Sequence, residues 1–151
     1  IDDYQFERVW TTPDKYIDKL GMFDCVLTPD FSLYLDMPLA MQIWNVYRSR
    51  LIGQIMQDAG ITVIPTLQWA DERSFDFVFD GIEPDGVVSV STIGVKRDKN
   101  AGSIWFAGMD EAIKRLRPSH VVCYGGDIGY KFPCGVSYIA NHNTERFGGK
   151  S

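Results

Sequence analysis

The segment from Cys25 to Trp69 constrains the fold more than any other part of the chain, because it reads as a strand, a polar loop, a long helix and a second strand. The strand candidates are the apolar run FDCVLT and the β-branched run ITVIPT. A helix is predicted between them, from Pro38 to about Ala59. This order predicts a βαβ unit, and such a unit requires a parallel sheet. Pro65 lacks a backbone donor and therefore predicts a strand end or a sheet edge.

The long predicted helix carries one broad apolar stripe, which we expect to pack on the sheet. Its members are Ala40, Ile43, Trp44, Tyr47, Leu51 and Ile55. The opposite side is polar and comprises Gln42, Asn45, Ser49 and Gln57. Asp36 is placed to cap the helix before Pro38, and Gly60 is placed to end it.

The rest of the chain predicts further strands and helices of the same fold class. RSFDFVFDG predicts a short helix, MDEAIKRLR a second one that Pro118 stops, and VVSVSTIG and HVVCY two strands. Gly135 to Ile139 predicts a weaker fifth strand. We therefore predict one α/β domain over residues 1–151, with an N-terminal arm at 1–21 and an irregular C-terminal segment at 127–151. Its mainly parallel sheet of four or five strands, with helices on its faces, is either doubly wound or an incomplete barrel with sequential strands.

Composition and motifs disfavour several classes of function. The formal net charge of −5 disfavours nonspecific nucleic-acid binding. The odd number of cysteines, three, and the absence of zinc-ligand spacing predict a reducing cytoplasm and no metal site. No apolar run is long enough for a membrane span. The sequence contains no GxxxxGK[ST], GxGxxG or GxSxG motif, so neither a P-loop, a dinucleotide fingerprint nor a nucleophile elbow involving His120 or His142 is supported.

If the strands are parallel, their C-terminal ends bring four short stretches to one edge, where such folds usually bind ligands. These stretches are residues 29–32, 68–71, 91–94 and 124–127. Asp30 follows the first strand and is the weak candidate for a catalytic base or a metal ligand, and the alternative is that it accepts hydrogen bonds within its own loop, a common role after proline. Trp69 could stack on a ligand or simply pack. Tyr124 and Gly125 could let a ligand approach the backbone, or form a tight turn.

A second candidate lies in the long segment between Thr92 and Gly108. Lys96 and Arg97 combine positive charge with nearby glycine and serine, as a phosphate-bearing ligand needs, but a solvated loop is the favoured explanation of this pattern. Arg48 lies about ten residues into its helix, roughly 15 Å from the loop end, so an ion pair or a solvated position is expected for it and for Arg50. Asp71 with Ser74 predicts a helix cap.

Three stretches in order resemble a domain family of unknown function found in low-GC Gram-positive genomes, phages and integrative elements. They are FDCVLTPDFSLYLDMPLAMQIWNVYRSR, GITVIPTLQWADERSFDFVFDGI and EAIKRLRPSHVVCYGG, within a resemblance that covers about Phe6 to Gly126. The resemblance implies a bacterial or phage cytoplasmic setting. It carries over no activity and no catalytic residue.

Two functions are consistent with these observations. The first is a site for a phosphorylated or nucleotide-like ligand, enzymatic or not and with no cofactor identified, formed by Asp30, Trp69, Lys96, Arg97 and the stretch from Tyr124 to Gly126. The second is a noncatalytic module of a mobile element that binds a host or phage protein. Convergent polar groups in one cleft would favour the first, and an apolar patch outside the cleft would favour the second.

Overall fold

The computed structural model describes residues 2–140, which form helices and short parallel strands in alternation. The helices are α1 (Asp3–Thr11), α2 (Asp14–Leu20), α3 (Leu39–Asp58) and α4 (Lys99–Leu116), and the strands are β1 (Val26–Leu27), β2 (Val63–Ile64), β3 (Val87–Ser91), β4 (His120–Tyr124) and β5 (Gly135–Ile139). Short 3-10 turns lie at Glu72–Asp76 and Val95–Arg97. The predicted mixed α/β class, with parallel strands throughout these residues, is confirmed.

The strands form two small parallel sheets, β1–β2 and β3–β4–β5, so the predicted single sheet of four or five strands is wrong. β2 stops before Pro65, because proline has no N–H to continue a ladder. One parallel bridge, Thr66 to Ser89, connects the sheets, and the Ser89 N–H donates to Pro65 O at 2.9 Å. Neighbouring strands within each sheet are consecutive in sequence, as in the incomplete-barrel alternative.

Helix α3 packs on the first sheet with the face opposite to the predicted one. Ile52 and Gln42 are 1% and 0% exposed, whereas Trp44 is 48% exposed and Tyr47 53%. The full buried set is Gln42, Asn45, Val46, Arg48, Ser49, Ile52, Gly53 and Met56. The predicted stripe was therefore wrong, since most of it faces solvent.

Polar residues of α3 are buried because each finds a partner there. Gln42 Nε2 donates to Met37 O at 2.9 Å, and Asn45 Nδ2 donates to Ser32 O at 2.8 Å. Gly53 allows close approach, because a Cβ at that position would lie 2.9 Å from Thr28 Cγ2. These contacts fix the loop between β1 and α3. Asp36 makes no cap to α3, which begins after Pro38.

Helix α4 is twice as long as predicted and covers one face of β3 and β4. Its N-terminus is capped by Asp98, whose carboxylate accepts the Asn100 N–H at 2.9 Å. Trp105, Met109, Ala112 and Leu116 of α4 pack with Val88, Val90, Val121 and Cys123 of the two strands. The second half of the predicted loop from Thr92 to Gly108 is therefore helix.

Several smaller predictions have clear outcomes. Asp71 caps the turn Glu72–Asp76 by accepting the Arg73 N–H at 3.0 Å, and Ser74 Oγ donates back to Asp71 O. Gly60 ends α3 with a φ of 84°, as expected. β5 lies where the fifth strand was predicted.

Residues 141–151, which include His142, lie outside the described residues. Over residues 2–140, no helix combines the length and apolarity that a membrane crossing requires.

Candidate functional site

Two adjoining cavities, of about 350 and 280 Å³, lie at the C-terminal ends of β1 to β4. We name them together the strand-end cleft. Both are lined by Asp30, Thr66 and Ser91. The first cavity adds Phe6, Leu27, Thr28, Ser89, Val90 and Tyr124, and the second adds Leu67, Gln68, Trp69, Ile93, Val95 and Trp105. The structure thus brings three sequence-predicted residues together, namely Asp30, Trp69 and Tyr124.

Asp30 lies where the two cavities meet, two residues after Thr28 of the β1 end. Its side chain keeps an exposed surface, but protein atoms around the cleft desolvate the carboxyl group and raise its pKa. The Asp3 carboxylate adds to this effect, while the residue's own backbone N–H opposes it. Among residues 2–140, no Lys, Arg or His forms an ion pair with Asp30.

Hydroxyl groups on adjacent strands form the floor of the cleft. Thr66 Oγ1 donates to Thr28 O at 2.8 Å, and the Thr66 N–H donates to Thr28 Oγ1 at 2.9 Å. Ser89 Oγ donates to Thr66 Oγ1 at 3.0 Å. These bonds join β1, β2 and β3 where regular ladder bonds stop. They therefore give the floor a fixed shape despite the break between the two sheets.

Aromatic rings form the walls. Trp69 and Trp105 lie with their centroids 5.9 Å apart, and their indole N–H groups donate to Ile104 O and Ser91 O at 3.1 and 2.9 Å. Phe6 and Tyr124 line the other cavity. Both indoles are held by hydrogen bonds as well as by packing, so these walls are preorganised.

Helix α1 is tied to the loop that carries Asp30. The Asp3 carboxylate accepts hydrogen bonds from the Ser32 N–H and Oγ at 3.1 Å each, and Phe6 packs edge-on against Phe31 at 5.5 Å. Phe6 is the contribution of α1 to the cleft. Sequence reasoning missed it, because no local pattern relates residue 6 to strands that begin twenty residues later.

The remaining predicted ligand residues lie outside the cleft. Lys96 and Arg97 are exposed on the turn Val95–Arg97, and of that turn Val95 alone is among the described residues that line the strand-end cleft. Gly125 has a φ of 120°, and its N–H donates to Ile139 O at 2.8 Å. A Cβ there would lie 2.4 Å from Thr92 Oγ1. Gly125 therefore serves the connection after β4, in line with the tight-turn interpretation.

The two arginines of α3 are structural. Arg48 is buried, pairs with Glu7 of α1 and lies over the Phe31 ring with its Cζ 3.9 Å from the centroid, so the predicted ion pair is confirmed. Arg50 Nε donates to Asp80 O at 2.9 Å, and its Nη2 donates to Val78 O at 2.6 Å. Burial lowers the pKa of Arg50 to about 10. Neither side chain lines the strand-end cleft.

The cysteines and histidine supply no further site. Cys25 was expected in a buried strand but is exposed just before β1, whereas Cys123 is buried and Cys134 half-buried. His120 Nε2 lies 2.8 Å from Ser137 Oγ on the neighbouring strand. Within the described part of the chain, His, Cys, Asp and Glu side chains do not gather in groups of three or more as metal ligands would.

Three further cleft residues carry hydroxyl groups at strand ends, namely Thr28, Thr66 and Ser91. Ser91 belongs to a strand-end stretch that the parallel arrangement predicts. Thr28 and Thr66 immediately precede and follow prolines, at positions where a strand ends. A small hydroxyl residue at the end of each strand is the signal that could have found them.

Comparison with known proteins agrees with the resemblance seen in the sequence. The chain is 43% identical over 125 residues to the "Gene 1 protein" of Mycobacterium phage L5 and 42% identical over 125 residues to that of Mycobacterium phage D29. These matches cover 83% of the chain but 55% and 46% of the relatives, so the chain spans about half the length of the curated relatives it matches. No solved structure matches it significantly.

A family model described as "Domain of unknown function (DUF4417)" matches residues 1–135, which include every described residue that lines the strand-end cleft. The prediction of a phage domain family of unknown function is thereby confirmed. The chain belongs to the DUF4417 family.

Proposed function

We propose that this phage protein binds a small organic ligand, of nucleoside or sugar-phosphate size, in the strand-end cleft. The observation that carries the proposal is the convergence of Asp30, Trp69 and Tyr124, from three separate strand ends, on two joined cavities of about 350 and 280 Å³. Pockets of this size, with apolar walls and a few fixed polar groups, are typical of ligand sites. In open α/β folds they lie at the carboxyl ends of the strands.

Support for a phosphate group on this ligand is weaker. Lys96 and Arg97 adjoin the cleft only through Val95. An anion inside would face the Asp30 carboxylate, and two like charges about 5 Å apart repel by roughly 3 kcal/mol at an effective dielectric constant near 20. A phosphorylated ligand would therefore place its phosphate at the mouth, beside the two basic side chains, and its uncharged part inside.

Asp30 stays the candidate for a general base if the site is enzymatic. Its raised pKa brings the carboxyl group closer to the pH at which proton transfer is efficient. The other side chains that line the cleft supply hydroxyl groups, an amide and aromatic rings.

A thermal-stability screen of nucleosides, nucleotides, sugar phosphates and aromatic amines tests the proposal, since a ligand that binds only the folded state raises the melting temperature. Stabilisation by a compound of this panel should be lost in Asp30→Asn and Tyr124→Ala. It should persist in Asp76→Asn, which alters an exposed carboxylate outside the cleft. A panel in which no compound stabilises the parent, with no displacement of cleft signals in NMR spectra, rejects the proposal.

The second candidate, a noncatalytic module that binds a host or phage protein, is favoured by the exposed face of α3. Trp44 stacks on Tyr47 with ring centroids 5.7 Å apart, and Ile43 beside them is 49% exposed. An apolar partner surface would cover these side chains. Trp44→Ser with Tyr47→Ser should abolish capture of such a partner without changing ligand binding in the cleft. A cytoplasmic location and a low-GC Gram-positive host remain predictions.

A further inference from the structure

The strand-end cleft has an asymmetric charge distribution. Among the described residues that line it, Asp30 is the only one with a formal charge at neutral pH. The Asp3 carboxylate of α1 also acts on Asp30 and adds negative potential there. Aromatic rings flank Asp30 on both sides, Phe6 and Tyr124 in one cavity and Trp69 and Trp105 in the other.

Several backbone N–H groups of the cleft are already hydrogen-bonded within the protein. Anion sites in proteins depend on unoccupied N–H groups that point at the ligand. Here the N–H groups of Thr28, Thr66, Leu67 and Ile93 donate to Ile64 O, Thr28 Oγ1, Ser89 O and Ser91 Oγ, at 2.7 to 3.2 Å. These four strand-end N–H groups are therefore not available to hold a phosphate or carboxylate.

Two of the hydroxyl groups are occupied in the same way. Thr66 Oγ1 gives its proton to Thr28 O, and Ser89 Oγ gives its proton to Thr66 Oγ1. The strongest ligand-facing group that remains is an acceptor, the Asp30 carboxylate, which makes no ion pair within residues 2–140. A desolvated carboxylate without a counter-ion is stabilised most by a cation that brings its own hydrogen-bond donors.

We propose that the ligand of the strand-end cleft presents a cationic amine to Asp30 and lays an apolar or aromatic body against the surrounding rings. This inference rests on the proposed function and specifies its ligand class. An ammonium group satisfies the carboxylate through charge-assisted hydrogen bonds, and ring faces attract the same cation. A neutral ligand would leave the Asp30 carboxylate without an ion-pair partner among residues 2–140, and an anion would be repelled by both Asp30 and Asp3.

Three probes that share one ring and differ in charge test the inference: phenethylamine, 2-phenylethanol and phenylacetate. Binding is followed by NMR at the indole N–H groups of Trp69 and Trp105 and at the Ser91 amide. We expect phenethylamine to bind tightest and phenylacetate weakest. Asp30→Asn should weaken phenethylamine binding by about tenfold, the effect of one charge-assisted hydrogen bond. The matched variant Asp76→Asn should leave all three affinities unchanged.

The possible outcomes separate this inference from the proposed function. Equal binding of the three probes, or tightest binding of 2-phenylethanol or phenylacetate at the cleft signals, overturns the cationic ligand but retains the site. Displacement of the cleft signals by a nucleoside or sugar phosphate, but by none of the three probes at millimolar concentration, overturns this inference and retains the proposed site. Displacement by neither set overturns both. An unchanged phenethylamine affinity in Asp30→Asn also overturns the inference, because the amine would then contact another group.

Discussion

The indole ring of Trp69 lies directly against Gly108 of α4, so closely that a Cβ at position 108 would be 2.1 Å from Trp69 Cε2. The same indole donates its N–H to Ile104 O, one turn earlier in α4. A residue that follows β2 is thus positioned by a helix that follows β3. Because Trp69 lines the strand-end cleft, α4 determines the position of one cleft wall.

Gly108→Ala should destabilise the protein and displace the Trp69 ring. Overpacking of this kind costs about 1–3 kcal/mol in the free energy of unfolding. Gly102→Ala is the matched control in the same helix, since no atom lies within 4 Å of its added Cβ and alanine favours a helix by up to about 1 kcal/mol. Urea denaturation of both variants measures the difference. Equal midpoints for the two variants would contradict the contact between Gly108 and Trp69.

The orientation of α3 predicts opposite results for two isoleucines of one helix. Ile52 is 1% exposed and packs with Phe31, Met56 and Ile61, so Ile52→Ala should cost about 2–5 kcal/mol of unfolding free energy. Ile43 is 49% exposed, so Ile43→Ala should change that free energy by about 0.5 kcal/mol or less. Chemical denaturation of both variants measures these two changes in unfolding free energy. A larger loss for Ile43→Ala than for Ile52→Ala would mean that α3 is rotated so that the Ile43 face packs in the core.

Helix α3 shows why its existence could be predicted but its orientation could not. Its length and its end at Gly60 follow from local signals. Apolar side chains, however, surround the helix, and two stripes at helical spacing compete. The stripe of Val46, Ile52 and Met56 is buried because the polar residues within it, among them Gln42 and Asn45, find backbone acceptors in the preceding loop. Those acceptors are created only by the tertiary fold.

The candidate site was predictable to the extent that it depends on strand ends. Asp30, Trp69 and Tyr124 each follow a strand, and parallel strands bring their C-terminal ends to one edge. The sequence includes Lys96 and Arg97 in the same predicted site because the segment around them resembles a loop. Asp98 instead starts α4 directly after them and leaves both side chains exposed on the preceding turn. Phe6 depends on how α1 docks, which sequence spacing does not reveal.

The three cysteines should react with a thiol reagent at three distinct rates in the native protein. Cys25 is exposed and should react first. Cys134 is half-buried, and burial raises its pKa, so less of the reactive thiolate is present. Cys123 is fully buried, its pKa is raised by desolvation, and it should react only after unfolding. Time-resolved titration with mass spectrometry assigns the order, and early modification of Cys123 would contradict the packing of β4 beneath α4.

Asp30→Asn should stabilise the fold at neutral pH, as expected if Asp30 serves ligand binding and not the stability of the fold. Desolvation raises the pKa of Asp30 above its ordinary value of 3.8, so the ionised carboxyl group is less favourable in the folded protein than in the unfolded chain. Asp30→Asn should therefore raise the melting temperature at neutral pH. This advantage should shrink as the pH falls from the raised pKa towards 3.8, because protonation of the parent then removes the same penalty.

Asp71→Asn is the control, because this substitution should change the melting temperature in the opposite direction from Asp30→Asn. Hydrogen bonding to the Arg73 side chain lowers the pKa of Asp71, so its ionised form stabilises the fold at neutral pH, and that contribution is lost as the pH falls through the lowered pKa. Asp71→Asn should thus lower the melting temperature at neutral pH and lose its effect in acid. Melting curves of the parent and both variants across this pH range measure the two differences. If Asp30→Asn instead behaved as Asp71→Asn does, Asp30 would be a structural loop residue, and an unpaired carboxylate poised for a ligand would be ruled out.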